Sequence, residues 1–108
     1  MINRSAILVR PRQPYLDWAA SLGDADLLPD ADDERTVYLV PIFEDDEQAE
    51  EVVSRCYESI FENELFGWHT EPDDWPQERS LDTFYEWFEV EMNSVVEDLS
   101  AVPIRDEE

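Results

Sequence analysis

The amino-acid sequence predicts a small α/β (α+β) domain in which about three strands form a sheet and three helices pack against it, in the order β-α-β-α-α-β. Short β-branched runs alternate with longer segments whose apolar residues recur at helical spacing. Hydrophobic residues make up 43% of the chain and include four Trp, four Tyr and five Phe. Disordered acidic chains are poor in aromatic residues, so this content indicates a folded core. The length of 108 residues fits one domain, which we assign to 1–102, followed by an acidic C-terminal tail at 103–108.

Prolines mark the first strand and the first helix. Ser5–Val9 is a β-branched and aliphatic run, and Pro11 ends it. Pro14 suits the first turn of a helix. Apolar residues then recur at the spacing of one helical face: Tyr15, Trp18, Ala19 and Leu22. This pattern predicts a helix that Gly23 caps at its C-terminus.

The second strand and a long helix follow an acidic loop at 24–35. Thr36–Val40 is the clearest strand in the chain. Pro41 indicates either the end of this strand or a position at the edge of the sheet. A helix is expected from Asp46 to Phe66, with Asp45 or Asp46 as its N-cap and Gly67 at its end. Its apolar face consists of Ala49, Val52, Val53, Cys56, Ile60, Phe61 and Leu65.

The last element has two interpretations. Ser80 can cap a third helix, whose inward residues are Leu81, Phe84, Trp87 and Phe88. The apolar positions 81, 84, 88, 92, 95 and 99 fit one continuous helix, whereas 88–96 also alternate as a half-buried strand does. Since a sheet of two strands is marginal, we favour a helix to about residue 88 and then a third strand.

Charge is the most unusual property of the sequence. The chain has 29 acidic residues, seven Arg and no Lys, which gives a formal net charge of −22. Residues 1–20 hold three Arg and one Asp, a net of +2, and residues 21–108 hold four Arg and 28 acids, a net of −24. This charge argues against direct binding to nucleic acid or to an anionic membrane, because both need cationic patches.

The sequence also predicts a cytoplasmic protein. Apolar runs such as Ala6–Val9 are too short for a membrane span or a secretory signal. The single cysteine, Cys56, cannot form an internal disulfide. It lies mid-helix among acids, where a thiolate is disfavoured, and we expect it to be buried and structural.

No motif for catalysis, a metal or a cofactor is found. His69 lies near Glu71 and Asp73 and could form a base oriented by a carboxylate, but no paired nucleophile is evident, so a turn-stabilising role is favoured. Asp24 and Asp26 begin a calcium-loop pattern that the following residues break. Nucleotide-binding and hydrolase signatures are absent from the sequence. We therefore predict that the protein is not an enzyme and takes no cofactor.

Carboxylates along the long helix form the candidate binding site. Glu47, Glu51, Glu58 and Glu62 recur one or two turns apart, so that neighbouring side chains lie roughly 5–6 Å apart, which approximates the phosphate spacing of a nucleic-acid strand. Such charge runs are commonly only solvated faces. A nearby loop tryptophan could anchor a partner, although a core position is favoured for it. The predicted partner-binding residues are Glu47, Glu50, Glu51, Glu58, Glu62, Asp73, Asp74 and Trp75.

Several segments carry a resemblance to known proteins. Arg4–Trp18, Gly67–Thr70 with Trp75-Pro76, and Phe84–Leu99 resemble a group of short, acidic bacterial proteins that have no established activity. The resemblance implies a bacterial, cytoplasmic protein and transfers no site. In charge and size, the chain also resembles DNA-mimic proteins, a functional class of unrelated folds.

Three functions are compatible with these features. The first is an acidic interaction module that mimics DNA and occupies a basic, nucleic-acid-binding protein. The second is a soluble protein whose acidity is an adaptation to high salt. The third is a small enzyme that uses His69. An exposed sheet edge could also pair between chains, although the net charge opposes this at low salt.

Overall fold

A computed structural model describes residues 2–22 and 35–105. Its elements are β1 (Ser5–Pro11), α1 (Gln13–Ser21), β2 (Thr36–Val40), α2 (Asp46–Trp68), a 3₁₀ turn (Pro72–Asp74), α3 (Leu81–Trp87) and β3 (Phe88–Asn93). The predicted class and the order β-α-β-α-α-β are confirmed. No helix in the described ranges has the length and apolar character needed to cross a bilayer.

The sheet is antiparallel, with the strand order β2-β1-β3 and β1 at its centre. In the β1–β2 pair, Ser5 lies opposite Val40 and Val9 lies opposite Thr36. In the β1–β3 pair, Pro11 lies opposite Phe88. β3 begins directly at the end of α3, where the backbone of Phe88 is extended. The strand interpretation of this segment is therefore correct as far as residue 93, and its pairing completes a sheet of three strands.

Aromatic side chains dominate the core between the sheet and the helices. Phe61 of α2, Phe84 of α3 and Phe88 of β3 are fully buried. Their ring centroids are 5.3 Å apart for Phe61 and Phe88, 5.4 Å for Phe84 and Phe88, and 6.0 Å for Phe61 and Phe84. Ile7 and Val9 of the central strand are also fully buried. Large rings thus allow a short sheet and three helices to enclose a core.

The helices cover one face of the sheet only. On the opposite face, Val37 and Leu39 of β2 expose 62% and 47% of their surface. Arg10 forms ion pairs across the same face with Glu89, at 3.7 Å, and Glu91, at 3.5 Å. Within the described residues, this face combines apolar side chains on β2 with charged side chains on β3.

Helix boundaries follow the predicted caps, with one correction. Asp45 is the N-cap of α2, and its side chain accepts a hydrogen bond from the Gln48 amide. Gly67 was expected to end α2, but the helix continues to Trp68. The amide of His69 still donates to Leu65, and only then does the backbone become extended. The predicted cap Gly23 and residues 24–34 of the acidic loop lie outside the described residues, as do 106–108.

Candidate interaction surface

Helix α2 carries its charge asymmetrically. Successive residues are rotated by about 100° in an α-helix, so the sequence of α2 assigns its solvent-facing residues to two flanks. The acidic flank consists of Glu47, Glu50, Glu51, Glu58 and Glu62, all of which are exposed. The carboxylate-free flank consists of Gln48, Val52, Arg55, Ser59, Asn63 and Phe66. The structure thus brings together, on one side of one helix, the five glutamates that the sequence predicted as a binding site.

Packing holds the backbone beneath the acidic flank. Val53 and Phe61 of α2 are fully buried. The Phe61 and Trp87 ring centroids lie 5.7 Å apart, which ties α2 to α3. Glu50 lies close enough to α3 to act on Tyr85, whose pKa is raised by partial burial and by the negative charge of Glu50. The glutamates therefore project from a fixed helix.

Two arginines lie at the border of the acidic flank. Arg55 forms an exposed ion pair with Glu51, one helical turn away. Arg79, from the loop before α3, lines a shallow cleft together with Glu58 and Glu62. The Arg79 guanidinium also donates to the Pro76 carbonyl at 2.7 Å. Five carboxylates against two guanidinium groups leave the flank negative.

Asp73, Asp74 and Trp75 lie in the turn that follows α2. The Trp18 indole donates to the backbone carbonyl of Asp74 at 3.0 Å, and the Trp75 indole donates to the carbonyl of His69 at 2.8 Å. Trp75 is half-buried, whereas the two aspartates are exposed. The backbone of Asp74 and the indole of Trp75 therefore help to build the turn, and Asp73 is the outward-facing member of the three.

His69 also belongs to this turn. Its Nε2 lies 2.9 Å from Oδ2 of Asp74, and the Trp18 ring meets its ring edge-on with centroids 6.4 Å apart. These contacts fasten the end of α2 to α1 and to the 3₁₀ turn. In the part of the chain that the structure describes, no group of three or more His, Cys, Asp or Glu could hold a metal ion.

A groove between β2 and α2 is a feature that the sequence reasoning missed. Its volume is about 380 Å³, and its lining residues are Tyr38, Leu39, Val40, Arg55, Cys56, Ser59, Ile60 and Asn63. Cys56 is half-buried here, whereas the sequence predicted a buried position. The sequence does contain an indication of this groove, because the α2 positions of the carboxylate-free flank are polar or apolar but never acidic.

Tyr38 ties the edge strand to α2 across this groove. Its hydroxyl donates to Oε2 of Glu64 at 2.6 Å and accepts from the side-chain amide of Asn63 at 2.8 Å. Burial, with a further contribution from Glu64, raises the pKa of Tyr38 far above its usual range. The phenol is therefore a neutral, fixed donor that sets the distance between β2 and α2.

Comparisons of the chain with protein-family models, with curated proteins and with solved structures find no match. The resemblance to short acidic bacterial proteins thus stays a prediction. Any functional assignment depends on the charge, exposure and contacts of the chain's own residues.

Proposed function

We propose that this protein is an acidic interaction module that presents the acidic flank of α2 to the basic surface of a nucleic-acid-binding protein, where it takes the place of DNA. The observation that carries the proposal is the one-sided arrangement of five exposed glutamates on a single, well-packed helix. Glu47 and Glu62 mark the two ends of this flank. The net charge of −22 strengthens the field around it.

The dimensions of the acidic flank suit a nucleic-acid-binding groove. At 1.5 Å per residue, the flank from Glu47 to Glu62 is about 22 Å long. That length corresponds to roughly two-thirds of a turn of duplex DNA, which rises 34–36 Å per turn in general. The carboxylates repel each other, and a partner with interspersed Arg and Lys side chains would relieve that repulsion on binding.

Neutralisation of the flank tests the proposal. The variant carries Gln in place of Glu47, Glu50, Glu58 and Glu62, and a matched control carries Asn or Gln in place of Asp17, Asp82, Glu97 and Asp98. Both variants lose four negative charges, but only the first loses them from the acidic flank. We expect the flank variant to lose its partner and the control to retain it. Equal loss in both variants would show that net charge alone, and not the flank, determines binding.

The partner is first sought by affinity capture from a host lysate at about 0.1 M salt, below the ionic strength at which exposed charges are strongly screened. The capture is repeated with excess duplex DNA and with raised salt. We expect enrichment of nucleic-acid-binding proteins that either competitor displaces. Capture that resists both competitors would contradict the proposal.

A second candidate function is favoured by the acids outside α2. Exposed carboxylates occur on α1, on α3 and in the C-terminal segment, at Asp17, Asp82, Glu86, Glu97 and Asp98. An acidic surface of this breadth suits a protein that works in high salt, where screening removes the repulsion. In that case the acidity has no specific partner, and its signature is the salt dependence of stability that is argued in the Discussion.

A further inference from the structure

Strand β2 is an outer strand of the three-stranded sheet. Within the described residues it pairs with β1 on one side only. Edge strands are usually shielded by charges, prolines or bulges, because their unpaired backbone groups can accept another strand. The five residues Thr36–Val40 carry no charge and no proline. The other edge strand, β3, carries Glu89 and Glu91.

The carboxylate-free flank of α2 extends this low-charge surface. It forms the far wall of the groove beside β2, where Arg55, Ser59 and Asn63 lie opposite Tyr38 and Val40. Phe66, on the same flank, exposes 57% of its surface. We call β2 and the carboxylate-free flank together the edge surface. The six helix residues of this surface carry no carboxylate, and the Glu64 carboxylate beside them accepts a hydrogen bond from the Tyr38 hydroxyl at 2.6 Å.

We propose that the edge surface binds a second copy of this chain, through antiparallel pairing of the two β2 strands about a two-fold axis at Tyr38. In this register Thr36 lies opposite Val40 of the second copy, and Val37 lies opposite Leu39 of the second copy. It is the one register that pairs all five residues of both strands. Cross-strand pairs of apolar side chains stabilise a sheet, so the exposed Val37 and Leu39 become mutual partners.

Charge also favours a second copy on this surface. Two molecules of net charge −22 repel each other least through a surface with few carboxylates, and the Glu64 carboxylate of this surface is bound by the Tyr38 hydroxyl. Thr36 lies beside the Asn63–Trp68 end of α2, and Val40 lies along the groove that Arg55 lines, so α2 runs antiparallel to β2. The two-fold axis therefore brings Arg55 of each copy toward the end of α2 in the other copy that carries Glu62, which is a complementary pairing.

The dimer does not depend on the proposed DNA mimicry, because it brings Glu62 of the acidic flank toward the second copy but leaves Glu47, Glu50 and Glu58 exposed. The dimer would be a six-stranded sheet with the α2 helices of both copies on the same face. Dimerisation should strengthen with salt, whereas binding of a basic partner should weaken. The two proposals can thus fail separately.

Sedimentation equilibrium of the full-length chain at 0.1 M and 1 M NaCl tests the dimer. We expect a monomer–dimer equilibrium that tightens in 1 M NaCl. Leu39→Lys should raise the dimer dissociation constant by at least about tenfold, because it replaces an apolar cross-strand pair in both halves of the interface. Val37→Lys should act in the same way, and both side chains are exposed enough for the fold to tolerate the change. Leu99→Lys, at a site that is 97% exposed, is the matched control and should have no effect.

Cross-linking tests the register. Val37→Cys and Leu39→Cys are each made with Cys56→Ser and are then mixed under mild oxidation. We expect the mixture to form a disulfide-linked heterodimer faster than either variant forms a homodimer. A chain that is monomeric at every concentration and salt would overturn the proposal. So would a dimer that Leu99→Lys dissociates while Leu39→Lys does not, or faster cross-linking of either variant alone.

Discussion

Ser5 is the buried polar side chain on which three segments converge. It is fully buried at the start of the central strand. Its hydroxyl accepts from the Phe43 amide at 3.0 Å and donates to the Ser94 carbonyl at 3.0 Å. One hydroxyl thus satisfies the backbone after β2 and the backbone after β3, in a place where water cannot substitute.

Ser5→Ala should lower the free energy of unfolding by about 1–3 kcal/mol, because the Phe43 amide loses its buried acceptor. Ser54→Ala is the control, since its exposed hydroxyl bonds only within its own helix and should change stability by less than about 0.5 kcal/mol. Urea unfolding followed by tryptophan fluorescence measures both. Equal stability of the two variants would show that the hydrogen bonds of Ser5 do not contribute to the free energy of unfolding.

Tyr38 gives the protein a predictable response to alkaline pH. The folded protein holds the phenol proton above the ordinary pKa of tyrosine, which is about 10, whereas the unfolded chain releases it there. This contribution to stability is complete below pH 10 and is lost as the pH rises toward the raised pKa of the folded state. Tyr38→Phe should cost about 1–2 kcal/mol at pH 8 through loss of the bond to Glu64. It should also flatten the fall in stability above pH 10.

Denaturant unfolding at pH 8 and at pH 10.5 measures this effect. Tyr57→Phe is the control, because its hydroxyl has only a 3.4 Å contact with the neighbouring Glu58. The control should be nearly as stable as the natural chain at pH 8. If the stability of Tyr38→Phe fell above pH 10 as steeply as that of the natural chain, another group would be responsible for the fall.

Among the elements, α2 depends most clearly on its N-terminal cap. The Asp45 carboxylate accepts from the Gln48 amide at 2.8 Å, and the Gln48 side chain accepts in return from the Glu44 amide at 2.9 Å. Asp45→Ala should therefore destabilise the protein by about 1 kcal/mol. Asp46→Ala, one residue along, removes a similar charge near the helix dipole without removing the cap and should cost less, about 0.5 kcal/mol. Thermal unfolding followed by circular dichroism compares the two.

Local signals explain which elements could be predicted. The caps Asp45 and Ser80 and the alternation of β3 are short-range patterns, and the structure confirms each of them. Helix α2 ends at Trp68, two residues beyond the predicted Phe66, because its end depends on a turn that Asp74 and Trp18 hold from a distance in sequence.

The candidate surfaces were predictable to different degrees. The acidic flank follows from helical periodicity alone, so its five glutamates could be named from the sequence. The groove beside Tyr38 could not, since it exists only where an edge strand and a helix meet in the fold. The strand order β2-β1-β3, which leaves β2 at an edge, is likewise a long-range property.

At the scale of the whole molecule, self-repulsion should make stability strongly dependent on salt. The Debye length shortens from about 10 Å at 0.1 M salt to about 3 Å at 1 M, so most repulsion between exposed carboxylates is screened at the higher concentration. We expect this screening to raise the free energy of unfolding by about 1–2 kcal/mol, which corresponds to a rise in Tm of roughly 5–10 °C for a domain of this size. Differential scanning calorimetry, at a protein concentration low enough to keep the chain monomeric, measures this rise. A Tm that hardly changes would contradict both the repulsion and the high-salt function.

The two candidate functions predict different locations for the strongest repulsion between carboxylates. Carboxylates one turn apart on one helix repel more than carboxylates scattered over the surface. If the acidic flank is kept for a partner, then Gln at Glu47, Glu50, Glu58 and Glu62 should raise the Tm in dilute buffer by more than neutralisation of Asp17, Asp82, Glu97 and Asp98 does. That difference should vanish in 1 M NaCl, where both variants and the natural chain are screened alike. An equal rise in Tm for the two variants would instead favour the second function, in which the acidic residues of the whole surface are an adaptation to high salt.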